Sequence, residues 1–428
     1  MNIYGIIILA TLLIDFSLQL LADLLNLRAL QETIPAEFQD TFDPDRYQKS
    51  QQYLLVTTRF GLFTATISLA ATLIFWFTGG FNFLDILVRG WKFPELPTGL
   101  LYIGLLLLLK MILSLPFTIY DTFVIESRFG FNKTTVTTFI TDRIKGVILA
   151  VLIGGPLLAG ILFFLEKTGQ LAWLYCWFIS TALTLAIQFI APTWIMPLFN
   201  KFTPLAEGSL KEAILNYASS VKFPLENVFV IDGSRRSSKA NAFFTGFGKR
   251  RRIAIFDTLI EQQSTGELVA ILAHEIGHYR KKHILKNLLL GIIHMGFMFY
   301  LLSLFIGQPG LFAAFYLDQP SIYAGLILFG LLYSPVEFLL AIILQYISRK
   351  YEYEADAFAG QTTGDPESLV SALKKLAANN LSNLSPHPLY VLLHYSHPPL
   401  EQRIAALRNK EMSESHAGTS PEIYFSSF

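Results

Sequence analysis

The sequence predicts a mainly α-helical, polytopic membrane protein with about seven transmembrane helices and a small α+β domain on the cytoplasmic side. Its 428 residues are 53% apolar and only 15% charged, and the mean hydropathy is +0.47. Such a composition argues for a chain that resides in a bilayer rather than for two or three soluble domains. Residues 196–287 depart from this composition and have that of a soluble domain.

The predicted spans are long enough to cross a hydrocarbon layer of about 30 Å. They lie near residues 3–22, 54–78, 100–118, 144–165, 171–190, 288–306 and 322–346. The first is predicted to be retained, because no Lys or Arg precedes its apolar run and Asp15 interrupts that run. Polar groups are costly in hydrocarbon, so we expect Lys110, His294 and Glu337 to face the interior of the bundle.

Basic residues predict the orientation of the spans. The loops that carry Arg28, Lys133 and residues 201–286 fall on one side. The opposite loops hold little more than Arg89, Lys92 and Lys167. Because Lys and Arg concentrate in cytoplasmic loops, the amino terminus is predicted outside and the carboxyl terminus in the cytoplasm. The net charge of +1 and the lack of a basic tail give no support for a nucleic-acid partner.

Residues 196–287 are predicted to form the soluble domain. Residues 210–219 have the spacing of an amphipathic helix, and residues 228–231 read as a short strand. Two apolar runs, 240–248 and 253–256, predict a β-hairpin. A free hairpin edge can pair with an extended substrate backbone. An ordinary hairpin that covers a helix is the alternative.

Two histidines one helical turn apart, with a carboxylate between them, stand in the sequence A-H-E-I-G-H-Y at 273–279. Positions four apart differ by about 40° around a helix axis, so His274 and His278 can bind one metal ion together. Glu275 is rotated by roughly 100°, which suits a general base acting on metal-bound water better than a third ligand. The motif predicts a zinc hydrolase site, against the alternative of a core helix with two histidines.

The helix that carries this motif is predicted to be long. It begins with a capping box formed by Ser264 and Glu267. No helix breaker follows His278, so we expect the helix to continue through His283 into the sixth span. A metal ion bound there lies at the cytoplasmic face of the membrane. The charged residues around the motif argue against a protease whose metal site lies inside a span.

A catalytic zinc site takes three protein ligands and keeps a fourth position for water, so one ligand is missing from the motif. The best candidate segment, residues 349–359, follows the seventh span. On a helix there, Glu352 and Asp356 share one face with two alanines, which allow close approach of the metal-binding helix. Glu352 can bind the metal there, and Asp356 can orient a ligand or complete the acid–base machinery. A solvated charge on the helix surface is the alternative for either residue. Glu354 points to about the opposite side.

A second polar cluster, residues 394–403, contains paired prolines that predict a stiff, extended turn. His397 lies just before the prolines and Arg403 on the helix that follows. Either side chain can stabilise the oxyanion of a tetrahedral intermediate. A purely structural role for the cluster is the alternative.

Four ordered motifs resemble those of the type I CAAX prenyl proteases, a family of integral-membrane zinc metalloendopeptidases. They are H-E-I-G-H at 274–278, E-Y-E-A-D at 352–356, N-A-F-F-T-G at 241–246 and H-Y-S-H-P-P-L-E-Q-R at 394–403. With the seven spans, they extend the resemblance over nearly the whole chain. The resemblance implies seven helices around a large water-filled chamber and one Zn²⁺ ion per chain.

The resemblance also assigns roles to residues and selects Glu352 over Glu354. The predicted zinc ligands are His274, His278 and Glu352, the predicted catalytic residues are Glu275, Asp356, His397 and Arg403, and the predicted substrate-binding residues are Asn241, Ala242 and Phe243. Glu275 is implied as the catalytic base, and His397 and Arg403 as neighbours of the scissile bond. Asn241 is implied to begin a strand that flanks the substrate.

These features predict a membrane zinc metalloendopeptidase that hydrolyses membrane-associated or C-terminal, CAAX-like protein or peptide substrates, with or without a lipid. The expected partners are that substrate and membrane lipids. The compact chain resembles a bacterial member, so we expect a bacterial inner membrane, or the endoplasmic reticulum if the source is eukaryotic. A membrane metal transporter or a non-catalytic zinc-binding protein is the alternative.

The sequence also predicts a division of the chain into five regions. The boundaries are 1–195 for spans one to five, 196–287 for the cytoplasmic domain, 288–347 for spans six and seven, 348–411 for a cytoplasmic helical region, and 412–428 for a disordered tail.

Overall fold

The computed structural model describes residues 1–225, 227–245 and 252–417, and the fold is mainly α-helical, as predicted. The α-helices are α1 (Ile3–Arg28), α2 (Pro44–Phe77), α3 (Gly80–Gly90), α4 (Glu95–Tyr120), α5 (Val136–Leu149), α6 (Gly155–Lys167), α7 (Ala172–Ile190), α8 (Ser209–Ser220), α9 (Asp257–Gln262), α10 (Thr265–Arg280), α11 (His283–Phe305), α12 (Pro309–Ala314), α13 (Ile322–Thr363), α14 (Pro366–Asn379), α15 (Pro388–His394) and α16 (Leu400–Ala417). Short π-helical segments at Asp121–Glu126 and Ala191–Ile195 extend the third and fifth spans, and a third at Ala150–Gly154 joins α5 to α6 within the fourth span.

Within the described ranges, seven helical segments are long and apolar enough to cross a membrane, which confirms the predicted number. They are Ile3–Arg28, Pro44–Phe77, Glu95–Glu126, Val136–Lys167, Gly169–Leu198, His283–Phe305 and Ile322–Thr363. The last, α13, has 42 residues and is therefore about 63 Å long, twice the thickness of a hydrocarbon layer. The helix contains Pro335 and is continuous through Glu352, so the predicted seventh span and the third candidate ligand lie on one element.

A four-stranded sheet forms the β part of the soluble domain. Its strands are β1 (Phe202–Pro204), β2 (Asn227–Ile231), β3 (Ala242–Thr245) and β4 (Arg252–Phe256), in the order β1-β2-β4-β3. The antiparallel pairing of β3 with β4 confirms the predicted hairpin, whose turn at 246–251 lies outside the described residues. Strand β2 and helix α8 stand where the sequence predicts them, whereas β1 is too short to show a strand pattern.

The predicted continuity of the metal-binding helix with the sixth span is wrong. Helix α10 ends at Arg280 and α11 begins at His283. Between them, Lys282 takes a left-handed backbone conformation with φ of 59°, and its N–H donates to the carbonyl of Tyr279. The segment contains neither Gly nor Pro, so the local sequence did not predict this break. The tertiary contacts of His283 override the helical propensity of the segment.

The loop between the first two spans contributes to the core of the protease region. Phe38, Phe42 and Tyr47 are buried in one hydrophobic cluster with Ala273 and Ile276 of α10. A segment that the sequence groups with the membrane region thus belongs to the same core as the helix that carries the two histidines.

The carboxyl-terminal helix is longer than predicted. Helix α16 extends to Ala417, so residues 412–417 are helical where the sequence predicts disorder. No Gly or Pro occurs between Leu400 and Ala417, and the Ser-rich composition by itself does not end a helix. Residues 418–428 of the predicted tail lie outside the described residues.

Polar residues of the spans gather around two cavities. One, of about 590 Å³, lies between α1 and α2 and is lined by Asp15 and Asp23. The other, of about 520 Å³, lies between α2 and α4 and is lined by Lys110 and Asp121. His294 pairs with Glu337 at 3.3 Å on neighbouring spans. Lys110 and Glu337 are nonetheless exposed, so their placement in the interior of the bundle stays a prediction.

Candidate metal centre

Helix α10 is fixed at its start by the predicted capping box. The Ser264 Oγ accepts from the Glu267 N–H at 3.4 Å, and the Ser264 N–H donates to Glu267 Oε2 at 2.8 Å. Glu267 also receives hydrogen bonds from Ser371 Oγ at 2.6 Å and Lys375 Nζ at 2.8 Å on α14. The cap therefore ties the helix that carries the two histidines to its neighbour as well as starting it.

Helices α10 and α13 pack at unusually close range. A Cβ built on Gly277 would lie 3.1 Å from both the Cα and the carbonyl oxygen of Ala355. Ala355 and Ala359 are fully buried at this contact. The predicted role of the alanines is confirmed, and Gly277 of the motif supplies the matching small residue. Because the helix axes approach closely, a side chain of α13 reaches the histidines of α10.

The three predicted ligands converge. His274 Nε2 and His278 Nε2 are 3.1 Å apart, and they lie 3.5 Å and 3.2 Å from the Glu352 carboxylate oxygens. A tetrahedral zinc ion with bonds of about 2.0–2.1 Å holds its ligand atoms roughly 3.3 Å apart. All three side chains come within reach of one ion, and they form a three-residue cluster of the kind that binds metal in the described part of the chain.

Hydrogen bonding indicates which atoms carry lone pairs. Asp356 Oδ1 lies 2.8 Å from His274 Nδ1, so this nitrogen donates and Nε2 keeps its lone pair facing His278. Two facing nitrogens beside a carboxylate repel one another unless a cation or a proton lies between them. Glu352 Oε2 is buried and has no hydrogen-bond partner among the described residues. The donor set therefore fits a divalent metal ion.

The electrostatic setting also favours a cation. Burial opposes protonation of His274, but its hydrogen bond to Asp356 and the negative charges of Asp356 and the nearby Glu352 outweigh burial and raise the pKa of His274 to about 9. The potential that stabilises an imidazolium here is the potential that attracts a metal ion. Burial raises the pKa of Glu275, against the pull of His274 and His278. A raised pKa brings a carboxylate closer to the working range of a general base.

Asp356 and Arg403 form a buried pair behind the ligands. Arg403 Nε and Nη2 donate to the two Asp356 oxygens at 2.8 Å and 2.6 Å, while Asp356 accepts from His274. The Arg403 side chain is only 9% exposed. Its guanidinium thus neutralises the carboxylate that orients a ligand and holds it in a fixed plane.

His397, unlike the buried Arg403, is exposed. Its side chain is 61% exposed, and its Nε2 lies 3.4 Å from Glu352 Oε1. Ser396 Oγ lies 2.9 Å from His397 Nδ1. The turn is held from α13, where Arg349 donates to the carbonyls of Val391 and Tyr395 at 3.1 Å and 2.7 Å. The structure therefore brings His397 to the open side of the centre and Arg403 to its closed side.

The predicted substrate segment forms an edge of the sheet. Asn241 is exposed at the start of β3, and its carbonyl accepts from the Phe256 N–H at 3.0 Å. Ala242 and Phe243 pair with Ile255 and Ala254 of β4. Within the described residues, β3 pairs with β4 alone. Its other edge is thus available for the predicted pairing with an extended chain.

Sequence reasoning missed His283, whose Nδ1 lies 3.0 Å from His278 Nδ1. It also gave no role to Glu354, which lies outside the cluster of three candidate ligands and contacts His283 Nε2 at 3.1 Å. The only available signal was a third histidine five residues after the motif. Helical geometry argued against using it.

Comparisons with known proteins agree over nearly the whole length. The family model for the CAAX prenyl protease N-terminal region, with five membrane helices, matches residues 23–201, and that for peptidase family M48 matches residues 204–411. The chain is 37% identical to CAAX prenyl protease 1 homolog of Arabidopsis thaliana, over 91% of this chain and 94% of that protein. Identity to CAAX prenyl protease 1 of Saccharomyces cerevisiae is 37%, over 88% and 89% of the two chains.

A solved structure is similar over the same extent. The crystal structure of S. mikatae Ste24p superimposes with a TM-score of 0.88 at 36% identity, covering 95% of this chain and 99% of that one. These relatives are eukaryotic, so they lend no support to a bacterial source, which stays a prediction. The matched models, the identities and the shared fold show that this chain belongs to peptidase family M48 and is an integral-membrane metallopeptidase of the CAAX prenyl protease type.

Proposed function

We propose that the chain is a zinc endopeptidase that cleaves protein or peptide substrates near a C-terminal, CAAX-like sequence. The observation that carries this proposal is the convergence of His274, His278 and Glu352 on one point from two separate helices. Two imidazoles and one carboxylate form a ligand set used by catalytic zinc sites, which leave a position open for water. The substrate class follows from the names of the relatives, which are CAAX prenyl proteases.

A zinc ion bound by these ligands would supply Lewis acidity, activating water and polarising the scissile carbonyl. Glu275 takes a proton from the attacking water as the new C–O bond forms. It then passes this proton to the leaving amine as the C–N bond breaks. The half-buried position of Glu275 and its raised pKa support this role.

We assign the oxyanion to His397 rather than to Arg403. The exposed ring of His397 stands next to Glu352, and its Nδ1 lies 2.9 Å from the Ser396 Oγ. A Ser396 hydroxyl that donates to Nδ1 would leave the N–H on Nε2. Arg403 is buried and already donates twice to Asp356. Asp356 and Arg403 are therefore proposed as positioning residues that orient His274.

The substrate is proposed to lie as an extended strand against the free edge of β3. Backbone pairing with Asn241, Ala242 and Phe243 would hold the scissile bond beside α10 without regard to side chains. Side-chain selectivity then depends on the pockets around the strand. The proposed orientation, with the amino terminus outside and this edge in the cytoplasm, follows from the basic loops.

The test is cleavage of prenylated and unprenylated CAAX peptides by the full chain purified in detergent. We expect zinc-dependent cleavage that a chelator abolishes and that zinc restores. Glu275→Gln should lower kcat by at least about a hundredfold, because it removes the base but not the metal ligands. Glu261→Gln, an exposed carboxylate on α9, is the matched control and should cleave normally. Activity that persists both in chelator and in Glu275→Gln would refute the proposal.

A further inference from the structure

His283, the first residue of α11, folds back onto the second histidine of the motif. It is only 1% exposed, and its Nδ1 lies 3.0 Å from His278 Nδ1. On one continuous helix, a residue five positions later is rotated by about 140° and displaced by about 7.5 Å along the axis. The two rings could not meet on such a helix. The break between α10 and α11 is what brings them together.

This break uses a strained backbone. Lys282, with φ of 59°, adopts the left-handed region, which crowds any residue that has a Cβ. Strained residues persist where the surrounding structure fixes them, and they occur preferentially near functional sites. Here the surroundings are the contacts of the His283 side chain with α10 and α13.

Those contacts define the direction of the hydrogen bonds. Glu354 Oε2 lies 3.1 Å from His283 Nε2, and a carboxylate accepts, so this nitrogen carries the proton. The Nδ1 of a neutral His283 is then an acceptor, and His278 Nδ1 must be the donor. The remaining nitrogen of His278, Nε2, keeps its lone pair toward His274 and Glu352.

The plane of the His283 ring is also fixed. The ring stacks on Tyr351 with a centroid distance of 4.0 Å and an interplanar angle of 9°. Tyr351 and Glu354 stand on α13 on either side of Glu352 in the sequence. The helix that supplies the third ligand therefore also supplies both contacts that hold His283.

We propose that His283, held by Glu354, is a positioning residue that fixes the tautomer and ring orientation of His278 as a metal ligand. This inference rests on the proposed zinc site. With this role for His283, each candidate ligand histidine is linked by hydrogen bonds to a carboxylate. For His274 the carboxylate of Asp356 contacts the ring directly, whereas for His278 a second imidazole lies between.

The test measures zinc affinity of the full chain in detergent by competition with a chromogenic chelator. His283→Phe keeps a ring over Tyr351 but removes both nitrogens, and we expect affinity to fall about 10- to 100-fold. His283→Asn retains an acceptor near the position of Nδ1 and should recover part of that loss. Tyr351→Phe, which keeps the stacked ring, is the matched control and should bind zinc like the parent.

Variants of Glu354 provide a second, independent test. The Glu354 side chain is 32% exposed, so its replacement leaves no buried cavity. Glu354→Leu should weaken zinc binding about tenfold, whereas Glu354→Gln, which keeps an acceptor oxygen, should stay close to the parent. The absorption spectrum of the cobalt-loaded protein should shift in His283→Phe and not in Tyr351→Phe. A purely structural role would not alter that spectrum.

The outcomes separate this inference from the proposed function. If His278→Ala loses zinc while His283→Phe and Glu354→Leu bind it like the parent, the positioning role is refuted and the zinc site stands. If the parent binds no zinc, or His278→Ala binds it unchanged, both proposals fall. Loss in His283→Phe with partial recovery in His283→Asn supports the positioning role.

Discussion

Gly277→Ala tests whether the distance between α10 and α13 sets the geometry of the metal centre. The added Cβ would lie 3.1 Å from the backbone of Ala355 and 3.2 Å from the Phe358 ring. Backbone cannot turn aside like a flexible side chain, so α13 must shift by a few tenths of an ångström. Glu352 stands on this helix less than one turn away and would shift with it.

The expected magnitude comes from two opposing effects. Replacing Gly by Ala inside a helix gains up to about 1 kcal/mol in propensity. Overpacking a close contact costs about 1–3 kcal/mol, so we expect a net loss of up to about 2 kcal/mol in the free energy of unfolding. Displacement of one ligand should also weaken zinc binding about tenfold, which corresponds to about 1.4 kcal/mol.

Gly266→Ala is the matched control, because it makes the same substitution on the same helix. A Cβ at Gly266 would meet only the Ser368 Oγ, at 3.4 Å, which is ordinary contact. The assay combines thermal unfolding in detergent with competition for zinc by a chelator. If Gly277→Ala unfolds and binds zinc like Gly266→Ala, the close helix approach does not control the site and the reasoning is wrong.

Three further predictions concern the supports of the centre. Removing zinc should lower the thermal stability in detergent, since a ligand at a thousand times its Kd adds about 4 kcal/mol to the free energy of unfolding. An unchanged melting temperature would show that the metal does not hold α10 and α13 together. Asp356→Asn should reduce both zinc affinity and kcat/KM by about 10- to 100-fold, because it removes the negative charge that holds His274 and neutralises the buried Arg403. Chelator competition and peptide kinetics measure this. Burial would raise the pKa of Glu267, but hydrogen bonds from Lys375, Ser371 and Ser264 outweigh burial and hold this pKa below its usual 4.5. The contribution of Glu267 to stability is therefore present above pH 4.5, and it is lost as the pH falls through the lower pKa of the folded state. Glu267→Gln should therefore flatten the acid limb of the stability curve, and an unchanged limb in pH-dependent unfolding would contradict the role of this cap.

The local order of residues was enough to locate most of the site. The i, i+4 spacing of His274 and His278 and the capping box of Ser264 follow from helix geometry alone, and the structure has both. The shared face of Glu352 and Asp356 is a property of the same kind. Each of these features depends on residues within about one helical turn, where chain periodicity fixes the side-chain direction.

Features that depend on packing could not be predicted from the local sequence. The break at Lys282 contradicts the local propensity, because burial of His283 against Tyr351 and Glu354 compensates for the left-handed backbone. The proposed assignment of the oxyanion to His397, and of a positioning role to Arg403, likewise depends on which side chain is exposed. Exposure is a property of the assembled helices and leaves no mark in the order of residues.

The sequence by itself determined that this is a membrane protein with about seven spans and with two histidines and a glutamate placed for metal chemistry, because hydropathy and helical period are local quantities. Only the tertiary structure decided how the two candidate ligand histidines are supported. His274 is held by Asp356 and His278 by His283, contacts that span 82 and 5 residues along the chain. The long contact requires α13 to pack on α10, and the short one requires the helix between them to end.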